Sequence, residues 1–208
     1  TALAALVIFV MLELSDIRYF INLWRIRKLE FAVAILAFAG VLAYGVLEGV
    51  MIGVGLSLVL LAEHISRPPL EIIGRTKSGT LLPSDKSGEV PGLFILRMYG
   101  PLVFLNARRL ARTIQSEIAK RPDTKVVLLD ASATTGADTT GTLTYIKLRD
   151  VLAEKSIDFW VAGVRDDIWS RIVKTIETSN AEIPPRFASV EEAYGEFLKT
   201  ESETAKSG

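Results

Sequence analysis

Residues 31–62 hold one charged side chain, Glu48, in 32 positions, and this apolar stretch constrains the fold more than any other feature of the sequence. One helix of that length would measure about 48 Å, whereas the hydrocarbon core of a bilayer is about 30 Å thick. Two helices of about 15 residues each, reversing near Gly45–Gly49, fit a bilayer better. Gly49 and Gly53 form a small-xxx-small pair that suits close helix packing. A soluble core would need more partner surface than this chain offers, so we predict a membrane-embedded hairpin.

Basic residues flank the hairpin on both sides: Arg18, Arg25, Arg27 and Lys28 before it, and Arg67, Arg75 and Lys77 after it. Basic short loops favour the cytoplasm, and two cytoplasmic flanks require an even number of crossings, as a hairpin provides. Uncharged residues 1–12 would then run inward from the outer face. Residues 16–28 mix apolar and basic side chains, which predicts an interfacial segment. Glu48 either faces water at the turn or is a functional acid within the membrane.

The rest of the chain has a different composition, which indicates a second, water-exposed part. Residues 1–78 carry 7 Lys/Arg and 6 Asp/Glu, whereas 79–208 carry 17 and 18. Neither part has the basic patch with interleaved aromatic residues that nucleic-acid partners require. Without cysteine and with His64 as its single histidine, the chain offers no thiolate or histidine metal cluster and no histidine-based triad. We therefore expect no metal, no cofactor, no catalytic residue and no enzyme.

The sequence divides into four predicted parts: transmembrane helices over 1–66, a linker over 67–91, an α/β domain over 92–200 and a disordered tail over 201–208. The linker is rich in Gly and Pro and has room for one short strand near 71–75. Strands are predicted at 92–106 (two, broken at Gly100-Pro101), 125–130, 157–163 and 186–188, and helices at 107–120, 138–155, 166–178 and 189–199. Asn106 is expected to cap the first of these helices, and Ser189 with Glu192 forms a capping box for the last.

The loop over 130–141 is the candidate functional segment, because it joins the carboxyl end of a buried strand to a helix, where function usually lies in open α/β sheets. Asp138 suits the N-cap position, which places Thr139 and Thr140 in the first turn beside free N–H groups. A phosphate on Thr139 would be stabilised there. Alternatively, Asp138 only caps the helix and the threonines only fill the turn. The loop lacks a Walker lysine and a G-x-G-x-x-G pattern, so it does not support a nucleotide-phosphate cradle.

Six short segments, taken in order, have a recognisable pattern: Leu23–Lys28, Gly45–Gly55, Arg67-Pro68, Leu70–Arg75, Asp130–Ser132 and Asp138–Gly141. Together they resemble the C-terminal portion of SulP anion permeases, the sulfate transporter family, whose membrane part is followed by a STAS domain. The resemblance covers about residues 1–200. It implies a fold of three transmembrane or short helices followed by a STAS-like α/β domain, a small mixed sheet with helices packed on it.

The resemblance also implies a function. Anti-sigma-factor antagonists share the STAS fold and are phosphorylated on a Ser that follows an Asp, and here Thr139 after Asp138 takes that position. Thr139, Asp138, Thr140 and Ser132 are therefore the candidate regulatory residues. In the transporters, the domain is a cytoplasmic module for regulation, partner docking and dimer assembly. The expected partners are the bilayer, the preceding helices of the transporter, a second copy of the chain and a cytoplasmic protein.

SulP transporters hold their anion between half-helices of two inverted repeats, and those helices precede this segment. We therefore expect a fragment of a secondary transporter for sulfate, a related oxyanion, bicarbonate or a dicarboxylate, in an inner or plasma membrane. The fragment has no substrate-binding residue and should not transport alone. The alternative is a membrane-anchored STAS module that binds a protein or nucleotide without transporting.

Overall fold

The computed structural model describes residues 5–6, 9–10, 17–75, 81–83 and 88–207. The chain separates into two compact units, Thr1–Glu63 and His64–Gly208. The helix predicted over 1–12 falls largely outside the described residues, as do 76–80 and 84–87 of the predicted linker.

The first unit contains α1 (Ile17–Ile26), α2 (Lys28–Tyr44) and α3 (Val46–Ser66), the last of which ends in the second unit. Gly45, with φ of +115°, connects α2 to α3, so the predicted break lies at the start of the expected interval. The two helices pack closely, because a Cβ added to Gly49 would lie 2.3 Å from the backbone nitrogen of Val41. The helices have 17 and 21 residues, and both continue into polar residues beyond the apolar stretches.

Among the described residues, α3 alone is long and apolar enough to cross a membrane by length and composition. Glu48 is exposed in its first turn, close to the connection at Gly45. In α1, the exposed Trp24 packs edge-on against Phe31 with ring centroids 5.1 Å apart. The interfacial role predicted for α1 remains a prediction.

The second unit is built on one six-stranded sheet with strand order β2-β1-β3-β4-β5-β6. Its strands are β1 (Leu70–Arg75), β2 (Leu81–Pro83), β3 (Leu93–Met98), β4 (Val126–Asp130), β5 (Asp158–Ala162) and β6 (Arg186–Phe187). β1 is antiparallel to both of its neighbours, whereas β3 to β6 are parallel. This is the mixed sheet that the sequence analysis expected.

Two details at the start of this unit differ from the sequence prediction. The short strand expected near 71–75 is present as β1, which pairs with β3 over Leu70 to Ile73, but the segment predicted as a linker also contributes β2 (Leu81–Pro83), which was not predicted. The second strand predicted after Gly100-Pro101 is reduced to one bridge between Leu102 and Ala137. The chain turns at Gly100, where φ is +87°, and so leaves the plane of the sheet after β3. Residues 102–105 therefore do not pair with a neighbouring strand over more than this one bridge.

Helices cover both faces of the sheet: α4 (Ala107–Ala119), α5 (Thr139–Ala153), α6 (Asp166–Thr178) and α7 (Val190–Ser207). Alternate residues of β3 face opposite sides, as the strand geometry requires. Leu96 packs with residues of α4 and α5 such as Ile114, whereas Ile95 packs with residues of α7 such as Phe197. Buried apolar side chains on both faces make this an ordinary α/β core.

The last helix, α7, is longer than predicted. Half of the predicted capping box is present, since the backbone nitrogen of Glu192 donates to Ser189 Oγ at 3.2 Å, whereas the Glu192 carboxylate accepts from the backbone nitrogen of Ala188, one residue before the cap. The helix then continues through Ser207, where a disordered tail over 201–208 was expected. Lys125 Nζ lies 2.8 Å from Glu201 Oε1, and this exposed ion pair joins the additional turns of α7 to the residue before β4.

Candidate functional site

Asp138 fixes the start of α5 and joins it to the preceding segment. Its Oδ1 accepts a hydrogen bond of 2.6 Å from the backbone nitrogen of Gly141, the N-cap interaction that the sequence predicted. Its Oδ2 accepts a second bond of 2.9 Å from the backbone nitrogen of Phe104. One carboxylate therefore satisfies a free donor of the helix and also holds the turn that leads into α4.

Thr139 and Thr140 are exposed in the first turn of α5. Their backbone N–H groups have no acceptor among the described residues, as the first turn of a helix requires. The Thr140 carbonyl accepts a bond from Thr144 Oγ1 at 2.8 Å. A phosphate on Thr139 would meet open solvent, free N–H donors and the positive end of the helix dipole.

Gly141 permits the close approach that shapes this site. A Cβ at this position would lie 2.4 Å from the carbonyl oxygen of Leu102. The backbone of the loop pairs with the same segment, since Asp138 donates to the Leu102 carbonyl and Leu102 donates to that of Gly136. The loop and the turn after Gly100 therefore form one hydrogen-bonded layer in front of α5.

An ion pair that the sequence analysis missed lies at the strand end of the loop. Asp130 is fully buried, and its Oδ2 accepts from Arg97 Nε at 2.6 Å. Burial is the largest single influence on the pKa of Arg97 and lowers it, but the hydrogen bonds and charges of Asp130 and Tyr99 together outweigh burial, so the pKa is raised. The two residues are register partners on β3 and β4, and only knowledge of the strand pairing could have revealed them.

Ser132 lies at the other end of the loop from Thr139. Its backbone nitrogen donates to Asp130 Oδ1 at 3.0 Å, and its Cβ would be 2.9 Å from a Cβ added to Gly163. The structure therefore groups Asp138, Thr139 and Thr140 at the start of α5 and places Ser132 beside the carboxyl ends of β4 and β5.

Asn106 occupies the predicted position before α4, but the role expected for it is wrong. Its side chain makes no capping hydrogen bond to the helix. Instead, its Nδ2 donates to the carbonyls of Ile65 at 3.0 Å and Pro101 at 2.8 Å, and its Oδ1 accepts from Val103 at 3.0 Å. The backbone of Asn106 is in the helical region, which turns the side chain away from the free N–H groups of α4. This buried amide links the last turn of α3 to the segment that Asp138 holds.

A small, largely apolar cavity lies behind the loop, lined by residues of β4, β5, α5 and α6 that include Leu129, Val161, Tyr145 and Trp169. The hydroxyl groups of Thr134 and Tyr145 are buried at its wall without a hydrogen-bond partner among the described residues. Burial raises the pKa of the Tyr145 phenol, and the charge of Arg149 only partly opposes this. The Tyr145 hydroxyl therefore stays protonated at neutral pH.

This arrangement, a mixed sheet with an exposed, Asp-capped helix start after β4, can be compared with known families. The STAS domain family matches residues 87–193, about half of the chain. The chain belongs to the STAS domain family. In the STAS domain, the loop over 130–141 and α5 are inside the match, whereas β1 and β2 precede it.

Curated relatives match both units of the chain. Sulfate transporter 2.2 of Arabidopsis thaliana is 27% identical and covers 96% of this chain, and a Mycobacterium tuberculosis protein named a probable sulfate transporter is 31% identical over 80% of it. The resemblance to the SulP family is therefore confirmed. The chain spans about a third of the length of these curated relatives, 32% and 31%. They are transporters and not enzymes, in agreement with the expectation of a non-enzymatic chain.

Solved structures share the fold. The overall structure of SLC26A9 aligns with a TM-score of 0.76 at 15% identity, over 92% of this chain and 33% of that one. The murine Slc26a9 anion transporter in the inward-facing state aligns with a TM-score of 0.73 at 18% identity, over 88% of this chain and 30% of that one. This chain therefore has the fold seen in these transporters, in which membrane helices are followed by a STAS domain.

Proposed function

We propose that this chain is the C-terminal part of a secondary transporter for sulfate or a related anion, with its STAS domain as the regulatory module. The observation that carries the proposal is the match of sulfate transporters across 96% of the chain, membrane helices and domain together. A STAS domain that worked independently of transport would need no similarity in the helical hairpin. We expect the helices that hold the anion to precede this segment, as the resemblance to SulP transporters implies.

The second proposal concerns orientation: α3 runs from the hairpin turn to the cytoplasmic face of the membrane, and the STAS domain is cytoplasmic. Basic residues before α2 and after α3 support it, because short cytoplasmic flanks carry an excess of Lys and Arg. α3 has 21 residues, about 31 Å of helix, which matches the thickness of the hydrocarbon core. α3 continues to Ser66, four residues before β1 begins.

The third proposal assigns regulation to the exposed helix start at Thr139, with Asp138 as its cap. A phosphate or a partner's carboxylate placed there would find unpaired backbone donors. Asp138 accepts a hydrogen bond from the backbone nitrogen of Phe104, and Asn106 donates one to Ile65, so the two bonds connect this position to the last turn of α3. A protein partner docked at Thr139 and a second copy of the chain are the expected contacts of the domain.

Anion uptake tests the proposed function. The full-length protein that contains this chain, reconstituted in proteoliposomes, should take up radiolabelled sulfate faster than empty vesicles do. Selenate and thiosulfate should compete, because they share the charge and the shape of the substrate. The 208-residue chain, reconstituted at equal density, is the control and should show no uptake. A full-length protein that carries none of these anions, or a chain that carries them alone, would contradict the proposal.

A further inference from the structure

Two cations lie at the corner where α1 meets α2, within the first unit of the chain. Arg25 is in the last turn of α1, and Lys28 begins α2. Both side chains are exposed, and neither has a carboxylate partner among the residues that the structure describes. Glu30, the acid in the first turn of α2, pairs instead with Arg27 at 2.5 Å. Arg25 and Lys28 therefore keep their charges available for an external anion.

The apolar surface of α2 fixes the depth of this corner in a membrane. Residues 31–44 of α2 carry no charge, and Leu36 and Leu42 are exposed among them. Lys28 precedes Phe31 by three residues, or about 4.5 Å of helix. The polar headgroup layer of a bilayer is about 5–8 Å thick on each side. Lys28 therefore lies at headgroup depth when α2 enters the hydrocarbon at Phe31, and this depth follows from α2 alone.

Trp24 places an aromatic ring at the same level. It packs edge-on against Phe31 with ring centroids 5.1 Å apart, and Lys28 Nζ lies 5.9 Å from the centroid of its ring. The side chain is nonetheless 52% exposed, and Ile21, three residues earlier in α1, is 50% exposed. Trp is enriched where headgroups meet hydrocarbon, because its ring is apolar and its N–H is polar. An exposed apolar side next to free cations is typical of a helix that lies in the membrane surface.

Continuity with the membrane helix favours a phospholipid over a soluble anion. A soluble anion would contact the cations alone. A phospholipid would satisfy both features of the corner, because its phosphate can contact Arg25 and Lys28 while its acyl chains cover Ile21 and Trp24. One residue separates the end of α1 at Ile26 from the start of α2, so the corner stays at the membrane surface.

We propose that Arg25 and Lys28, with Trp24 beside them, form a binding site for the headgroup of an anionic phospholipid on the side of the membrane at which α2 begins. The proposal rests on the membrane-embedded hairpin of the proposed function, but not on which anion is transported. Each cation near an anionic membrane surface contributes about a fivefold preference. The site should therefore prefer phosphatidylglycerol over phosphatidylcholine by at least about fivefold.

Quenching of Trp24 by brominated lipids tests the proposal. The full-length protein that contains this chain is reconstituted in phosphatidylcholine with increasing fractions of brominated phosphatidylglycerol or brominated phosphatidylcholine. The emission that is lost in Trp24→Phe isolates the signal of Trp24 from that of Trp160, Trp169 and any other tryptophan. Brominated phosphatidylglycerol should quench this signal at an about fivefold lower lipid fraction than brominated phosphatidylcholine. Molar salt should remove the difference, because it screens the two cations.

Variants identify the residues that carry the preference. R25Q/K28Q should respond equally to the two lipids, whereas the charge-preserving R25K/K28R should keep the preference. The matched control R108Q/R109Q removes two exposed cations from α4 of the STAS domain and should keep it too. If R25Q/K28Q were to unfold, the single variant Arg25→Gln should still show a partial loss. A preference that survives R25Q/K28Q, or that the control also removes, would overturn the proposal.

Three further outcomes separate this site from its alternatives. Millimolar glycerol phosphate should leave the preference unchanged, and a loss of preference would indicate a site for free phosphate and overturn lipid binding. Absence of quenching by either lipid would mean that other helices of the transporter cover Trp24, which would also overturn it. Sulfate uptake is measured in the same vesicles. A protein that takes up sulfate without the lipid preference would contradict the lipid site alone and leave the proposed function standing.

Discussion

Asn106 Nδ2 donates a 3.0 Å hydrogen bond to the main-chain oxygen of Ile65, across 41 positions of sequence. Asn106 is 1% exposed, and its three hydrogen bonds satisfy one donor and two acceptors of the backbone. Ile65 lies in the last turn of α3, and the other two partners lie in the turn before α4. This side chain therefore links the last turn of α3 to the turn before α4 that Asp138 also contacts.

Replacing Asn106 with Ala should destabilise the second unit by about 3 kcal/mol, since each buried polar group left without a partner costs about 1–3 kcal/mol. Thermal unfolding of the chain in detergent measures the loss. Amide exchange should also accelerate at 64–67 and at 101–104. Gln115→Ala, an exposed polar truncation on the same helix, is the control. Unchanged amide exchange at 64–67 in the Asn106 variant would show that the hydrogen bond to Ile65 does not stabilise the last turn of α3.

Substituting Asp138 by Ala should cost about 1–2 kcal/mol, because α5 loses its N-cap and Phe104 loses an acceptor. Asp138→Asn should recover most of the stability, since an amide oxygen caps a helix nearly as well as a carboxylate. Chemical denaturation of the two variants measures the difference. An Ala variant as stable as the unsubstituted chain would mean that α5 is held by other contacts.

Gly141 offers a test of the packed layer in front of α5. Gly141→Ala should destabilise the domain by about 1–3 kcal/mol, because the added methyl group would collide with the carbonyl oxygen of Leu102, a backbone atom that cannot move alone. Gly136→Ala, in the same loop with open space around its Cα, should leave stability unchanged or slightly raised. Equal melting temperatures for the two variants would show that the layer is loosely packed.

A negative charge at Thr139 should change which proteins bind the domain. Thr139→Glu is compared with Thr139→Ala by quantitative pull-down from lysate of the source cells, with Thr144→Glu, farther along the same helix, as a charge-matched control. We expect at least one partner to gain or lose binding with Thr139→Glu alone. Identical partner profiles for the three variants would leave Asp138 and Thr139 with only their structural roles.

Much of the second unit could be predicted because its elements are set by local patterns. α6 begins and ends where its apolar periodicity and the acidic residues of its first turn indicate, and α5 begins at its Asp138 cap. β2 could not be predicted, since three residues within a segment rich in Gly and Pro carry too weak a pattern. It is a strand because β1 offers it a pairing edge.

The candidate site shows the same division between local and long-range information. Asp138 and the first-turn threonines follow from sequence spacing alone, because a cap is a local interaction. Arg97 with Asp130, and Asn106 with Ile65, are separated by 33 and 41 positions. Arg97 and Asp130 become neighbours only through the pairing of β3 with β4. Asn106 and Ile65 become neighbours only because the last turn of α3 contacts the start of α4. An N-cap pattern at Asn106 therefore predicted the helix start and missed what the side chain does.

The rate of sulfate uptake by the full-length protein, with Thr139 unsubstituted or replaced by Glu or Ala, tests most directly whether the chain is the regulatory end of an anion transporter. The three proteins are reconstituted in proteoliposomes at equal amounts. We predict measurable uptake in all three and an initial rate with Thr139→Glu that differs at least about threefold from both others, a free-energy bias under 1 kcal/mol. Equal rates would contradict regulation at this helix start, and absence of uptake in every protein would contradict the assignment to anion transport.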